Sequence, residues 1–395
     1  MLPLGNGDIY IILIYSYYQY TIFTHFHHQY KYLNTCPCNL ELYIHPEVTH
    51  FGILSSLHIG FETNIFFTIK MILLVITMIL AIVSTNARLF EEGNGAQIMY
   101  KWTKLDFDWP TDLDRQNSFR NRSFIVQNNI ITGIKVFQKR VYVSVPRWRQ
   151  GVPSTLNEVV INSKGEAILK PFPNWSMQEI GTCNAFQYVQ SMEIDPNTGQ
   201  MWIIDTGSTN TKGTSGGMSS CNAKIVIYDI VSKRIVRKHV FPENVVSKGR
   251  NFLNDLVIDY VEGQAKFAYI SDAFKSHPKL IVYDFVRDKS YFFQHRSMYP
   301  LNGYIEIVAG NKLRWNATTP IDGIAMSPDF KFVYYCTLAD RNLHRIPTHI
   351  LRSYGTFSHA VQLVGKVDTG LKCEFISLNI SGSLVIYNVG SIKLD

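Results

Sequence analysis

A chain of 395 residues with 46% hydrophobic and 17% charged residues can bury a large core, which excludes a disordered chain and allows one large β domain or two smaller ones. The 22 Tyr and 24 Phe suit pleated sheets better than helices, so the expected class is all-β. The formal charge of +7 comes with no Lys/Arg run after residue 87, so it reads as solubility and argues against a nucleic-acid partner.

Residues 1–70 are crowded with Tyr, Ile, Phe and His, carry few charges and show no sustained alternation that would define a set of strands. They read as an upstream-translated or non-native segment. The apolar run at 71–83, followed by Ser84-Thr85-Asn86-Ala87, has the anatomy of a signal peptide starting at Met71 and cut near Ala87. The alternative is an uncleaved anchor, because Ile65-Phe66-Phe67 extends the run toward the ~20 residues of a membrane span, although Lys70 interrupts it. Either way residues 88–395 enter the secretory pathway, with 36 basic and 27 acidic residues for a balance of +9 and no stable membrane insertion after cleavage.

From residue 134 onward an alternating strand, a short turn and a second apolar strand recur. The pairs are 134–137 with 141–145, 192–195 with 201–205, 256–259 with 267–271, 324–327 with 332–335, and 376–379 with 383–387. Their starts lie 58, 64, 68 and 52 residues apart, a period long enough for propeller blades with loop insertions. Runs at 224–229 and 280–284 fit third strands of four-stranded blades. A β-sandwich also uses alternating strands, but the long-range repetition favours a β-propeller. The chain stops at Asp395 within the fifth unit, so the expected ring is incomplete at its C-terminus.

Cys183, Cys221, Cys336 and Cys373 follow the signal, without the C-x-x-C spacing of a zinc site, and two disulfides are expected. Chain order favours Cys183–Cys221 and Cys336–Cys373, although four cysteines allow three pairings. Sequons at Asn121, Asn174, Asn316 and Asn379 are candidate glycan sites.

Three motifs invite chemistry and fail on context. Asp205-Thr206-Gly207 and Asp368-Thr369-Gly370 resemble paired protease aspartates, but only 25 residues follow the second, too few for a lobe, and Leu371 replaces a small hydroxyl residue. Gly213-Thr214-Ser215-Gly216-Gly217 spells a nucleophile elbow inside a Ser/Gly/Thr loop that no helix follows. His25, His27 and His28 lie in the discounted segment and His295 and His344 stand alone, so no metal site and no cofactor are expected.

Polar residues at strand ends are more informative. Asp205, Asn254, Asp255, Asp272 and Asp322 fall at comparable places in successive units, where a propeller could bring several to one end of its channel. Their ordinary role is to bond nearby backbone N–H groups and set turns.

Several blocks resemble one family in order. They include Gly133-Ile134-Lys135-Val136-Phe137, Val145-Pro146-Arg147-Trp148, Pro171-Phe172-Pro173-Asn174-Trp175, Met201-Trp202-Ile203-Ile204-Asp205-Thr206-Gly207, Tyr269-Ile270-Ser271-Asp272 and Asp322-Gly323-Ile324-Ala325-Met326-Ser327-Pro328. From about Trp102 to Leu351 the chain resembles the insect yellow/major royal jelly proteins; the match weakens after Lys366. The resemblance implies a secreted six-bladed propeller linked to pigmentation or glandular secretion. Its implied activities are binding of a small aromatic amine or catechol, conversion of dopachrome, or a nutritive role. An amine site needs a carboxylate or amide and aromatic walls. By position, Asn254 and Asp255 are the first candidates, then Asp272, Asp322 and Phe274.

Overall fold

The computed structural model describes residues 9–16, 19–26, 97–212, 217–300, 305–309, 313–317, 319–338, 340, 342–354, 359–366, 375–378 and 384–387. The expected signal peptide, Cys36, Cys38, Cys373, Asp368 and Asn379 lie outside them, as does the side chain of Asn316.

The described residues form a β-propeller with four complete four-stranded antiparallel blades. In each, strand order in the sheet follows chain order from the axis outward. Blade 1 runs Gly133–Phe137, Arg140–Ser144, Leu156–Ile161, Ala167–Pro171; blade 2 runs Val189–Ile194, Gln200–Asp205, Lys224–Asp229, Arg234–Val240. Blade 3 runs Leu253–Val261, Gln264–Asp272, Lys279–Asp284, Lys289–Phe293; blade 4 runs Ile321–Met326, Phe332–Thr337, Asn342–Pro347, Gln362–Lys366. A further hairpin, Phe375–Leu378 with Leu384–Tyr387, sets its first strand beside that of blade 4. The five repeated hairpins and both expected third strands are all present.

Each blade is sandwiched between neighbours, so its middle strands are apolar on both faces and successive side chains enter different cores. In blade 2, Ile203 packs toward blade 1 with Tyr142, Leu156 and Phe172, whereas Trp202 and Ile204 pack toward blade 3 with Leu256, Ile270 and Tyr283. Phe267 and Tyr269 of blade 3 likewise meet Ile324 and Tyr335 of blade 4. Outer strands such as Arg234–Val240 have one face to water and are correspondingly polar.

Two features depart from the sequence reading. Ile9–Ser16 and Gln19–Phe26 form an antiparallel hairpin whose first strand pairs with Gln97–Trp102, where no strands were expected; the first is rich in Ile and Tyr and the second in Thr and aromatic residues, which favour extended backbone. A polar helix, Asp112–Arg120, precedes blade 1; the Thr111 hydroxyl accepts from the Asp114 N–H as its N-cap, and the Arg115 guanidinium holds Asp106.

Cys183 and Cys221 form a disulfide that ties the loop after the second strand of blade 2 to the segment entering that blade. Cys336 is buried in blade 4, and its expected partner lies outside the described residues. Asn121 and Asn174 are both exposed, as a glycan requires.

Candidate functional site

The first strands of the blades line the axis, and their opening residues align: Ile131-Thr132-Gly133-Ile134, Val189-Gln190-Ser191-Met192, Leu253-Asn254-Asp255-Leu256 and Ile321-Asp322-Gly323-Ile324. The apolar ends anchor each strand in the cores between blades. In blades 2, 3 and 4 the register with the second strand shifts within this stretch, a bulge that turns its polar middle residues out of the ladder.

These middle residues also join the blades. Thr132 and Ser144 hydroxyls of blade 1 both donate to the Gln190 carbonyl of blade 2, at 3.0 and 2.7 Å. The same two places in blade 3, Asn254 Nδ2 and Ser271 Oγ, donate to the Asp322 carbonyl of blade 4, at 3.2 and 2.8 Å. Gly133 is required here, because a Cβ would lie 2.6 Å from Ser144 Oγ and 3.1 Å from the Gln190 carbonyl oxygen. Between blades 2 and 3 the hydroxyl donor is replaced by Ile204, and the Ser191 hydroxyl donates instead to Asp255 Oδ1 at 2.9 Å.

Asp255 is therefore the centre of a polar cluster. Its Oδ1 also accepts from the Leu256 N–H, so both bonds fall on one oxygen. One turn of the pleat further along, Lys135 of blade 1 donates to Glu193 Oε2 of blade 2 at 2.6 Å. Burial pushes the Asp255 carboxyl up to about 6, with Glu193 adding to the rise and Lys135 and Ser191 opposing it. Burial works against the Lys135 ammonium, but the charges of Glu193 and Asp255 outweigh it and raise its pKa.

Toward the strand beginnings the cluster meets aromatic groups. The Tyr188 hydroxyl donates to Gln190 Oε1 at 2.8 Å, and the ring lies 6.3 Å from that of Phe252. Lys212 Nζ sits 4.0 Å from the centre of the Trp148 ring. Burial lowers the Lys212 pKa, with the Asp322 carboxylate opposing and Arg149 and Lys275 reinforcing.

The five candidates thus separate. Asn254 and Asp255 stand half-buried beside each other, Asp322 lies almost buried on the next blade, and Phe274 is half-buried on the loop leaving the second strand of blade 3. Asp272 is withdrawn from the channel: it is fully buried at the end of a second strand, where Oδ1 accepts from the Phe252 and Phe274 N–H groups and Oδ2 lies 3.7 Å from Lys279 Nζ. Asp205 occupies the same place in blade 2, accepting from the Gln187, Tyr188 and Gly207 N–H groups and pairing with Lys224 at 2.7 Å. A carboxylate so engaged holds strand entry rather than ligand.

Lys135, Ser191, Glu193, Tyr188, Trp148 and Lys212 were not singled out in the sequence; aligning the four openings in register would have found Ser191, which falls at the place of Asp255. A groove of about 550 Å³ lined by Tyr260, Phe330, His349 and Arg352 lies at the opposite ends of the blade 3 and blade 4 hairpins, away from this cluster. Among the described residues no group of three His, Cys, Asp or Glu is placed to hold a metal ion, and no helix is long and apolar enough to cross a membrane.

Residues 188–394 match the family model described as major royal jelly protein. The chain is 28% identical over 267 residues to "Protein yellow" of Drosophila erecta, covering 65% of this chain and 48% of that protein, and 27% identical over the same length to "Protein yellow" of Drosophila melanogaster. It spans about half the length of these relatives. Among solved structures it aligns with hydrazine synthase of Kuenenia stuttgartiensis at 15% identity and a TM-score of 0.41, over 67% of this chain and 72% of that one. A luciferin-regenerating enzyme aligns at 12% identity and a TM-score of 0.38, over 66% and 69%.

Proposed function

This chain belongs to the major royal jelly protein family, and on that premise we propose that it is a secreted protein whose propeller channel binds small aromatic amines or catechol metabolites, in pigmentation or a glandular secretion. The observation that carries the reading is Asp255, held by Ser191 at the junction of blades 2 and 3 with one oxygen outside those bonds. A carboxylate there meets a ligand ammonium, while the half-buried rings of Phe252 and Trp148 offer apolar surface for its ring. The Cys183–Cys221 disulfide fits an oxidising compartment.

Calorimetric titration with dopamine, serotonin and histamine tests this. Saturable binding is expected, and Asp255→Ala should weaken it by about 2 kcal/mol, roughly 30-fold, the worth of a hydrogen bond to a charged group. A folded protein that gives no heat with any of the three would remove the reading.

Asp255 also favours a second reading. A carboxyl pushed up to about 6 can move a proton near neutral pH, as conversion of dopachrome requires at a carbon beside a carbonyl. That reading expects dopachrome loss above background that Asp255→Asn removes. A protein that neither binds amines nor consumes dopachrome would be left with a nutritive or structural role.

A further inference from the structure

On the rim, far from the axis, the outer strands of blades 2 and 3 bring together three residues that the channel does not use. His239, on Arg234–Val240, is nearly buried, packed against Phe241 and Tyr283 with ring centres 5.4 and 4.8 Å away. Its Nδ1 lies 3.1 Å from Asp288 Oδ1 and its Nε2 lies 2.9 Å from Ser290 Oγ. Asp288 is the residue before the outer strand of blade 3, and Ser290 stands half-buried within it.

The partners fix the proton positions. Against the opposing effect of burial, Tyr283, Arg237 and His239 hold the Asp288 carboxyl below its usual value, so it is ionised and can only accept. Nδ1 must then carry the imidazole proton, which leaves Nε2 bare to accept the Ser290 O–H. Burial lowers the His239 pKa, with Asp288 opposing, and keeps the ring neutral at pH 7. A hydroxyl bonded to a bare imidazole nitrogen, with the other nitrogen oriented by a carboxylate, is the arrangement of an activated nucleophile. Arg237, two residues before His239, reaches the same carboxylate, with its Nη1 3.1 Å from Asp288 Oδ2, and brings a cation to the site.

We propose that Ser290, His239 and Asp288 form a nucleophilic acyl-transfer site for small, unhindered carboxylic esters. Ser290 Oγ attacks the ester carbonyl carbon while its proton passes to His239 Nε2. The ester C–O bond breaks and the alcohol leaves with that proton. Water, deprotonated by Nε2, then attacks the acyl carbon, releasing the acid and restoring the serine O–H, so the net reaction is ester plus water to acid plus alcohol. The site is independent of the amine reading, since it shares no residue with the channel.

The test uses the full chain and a fluorophosphonate, in which Oγ–P forms, P–F breaks and the proton leaves with fluoride, followed by peptide mass mapping; 4-nitrophenyl acetate turnover is measured alongside. One adduct, on Ser290, is expected, together with nitrophenol release above background. Ser290→Ala should abolish both, His239→Gln should slow labelling about 100-fold, and Asp288→Asn, which keeps the shape but releases the tautomer, at least about tenfold. Near-ultraviolet circular dichroism checks that each variant is folded, and Asp288→Asn keeps the test open if Ser290→Ala is not. No adduct on the folded chain, or labelling unchanged by His239→Gln, would show that the three residues only join the blades.

Discussion

Replacing Arg147 by methionine should cost on the order of 5 kcal/mol, a large part of the 5–15 kcal/mol that holds a typical domain together. The guanidinium is 1% exposed and donates to five backbone carbonyls: Val152, Pro153, Gln178, Phe186 and Gln187, at 2.6 to 3.0 Å. Those carbonyls belong to the loops on either side of the junction between blades 1 and 2. Removing the side chain leaves them without donors in a place water does not reach, and about 1–3 kcal/mol for each of even three of them reaches the stated size. Burial draws the Arg147 pKa down to about 10, with the Asp205 charge opposing, so the group is still protonated at neutral pH. Lysine is no substitute, since three donors on one nitrogen cannot serve five acceptors spread over a plane. Urea denaturation reads the loss, and a midpoint unchanged from the parent would mean that the loops find other donors.

Lys224→Met should be the next most damaging change, at about 3–5 kcal/mol, because it strands the Asp205 carboxylate in a core where both side chains are at most 1% exposed. Lys224 also donates to the Ala185 carbonyl at 2.9 Å, so one change undoes two ties to the segment entering blade 2. The double variant Asp205→Asn with Lys224→Met should recover more than half of the loss in the same denaturation experiment, since no uncompensated charge remains. Recovery of nothing would show that the hydrogen bonds, not the charge, carry the cost. Blade 3 repeats the device more loosely: Lys279 stands 3.7 Å from Asp272, too far for a hydrogen bond, and burial pushes the Asp272 carboxyl up to about 6. A carboxyl whose folded value is raised costs stability above pH 6, and that cost is relieved as pH falls toward its unfolded value near 4. Asp272 should therefore oppose the usual loss of stability between pH 6 and 4.

The blades were legible because each middle strand is apolar on both faces and each hairpin turn is polar, a contrast that recurs on the scale of a whole blade. The hairpin at 9–26 was not, since strands without a charge contrast give no alternation to read. The site was half legible. Asp255 and Asp272 are both acidic residues at strand ends, and only the sheet register separates an opening of a first strand, which faces the axis, from the close of a second, which binds backbone N–H groups. Lys135 and Glu193 meet across a blade boundary, 58 residues apart in the chain, and local patterning does not report such a pair.

The proposed channel site rests on the charge of Asp255, and the affinity for dopamine measured by calorimetry from pH 5 to pH 8 addresses it directly. The ligand ammonium stays protonated throughout, so only the protein titrates. The account predicts a constant affinity between pH 7 and 8 and a fall approaching tenfold per pH unit below about 6, as the carboxylate takes up its proton. Asp255→Asn should bind weakly and without that dependence. An affinity that stays level from pH 8 to pH 5, or an Asp255→Asn variant that binds dopamine as the parent does, would contradict it.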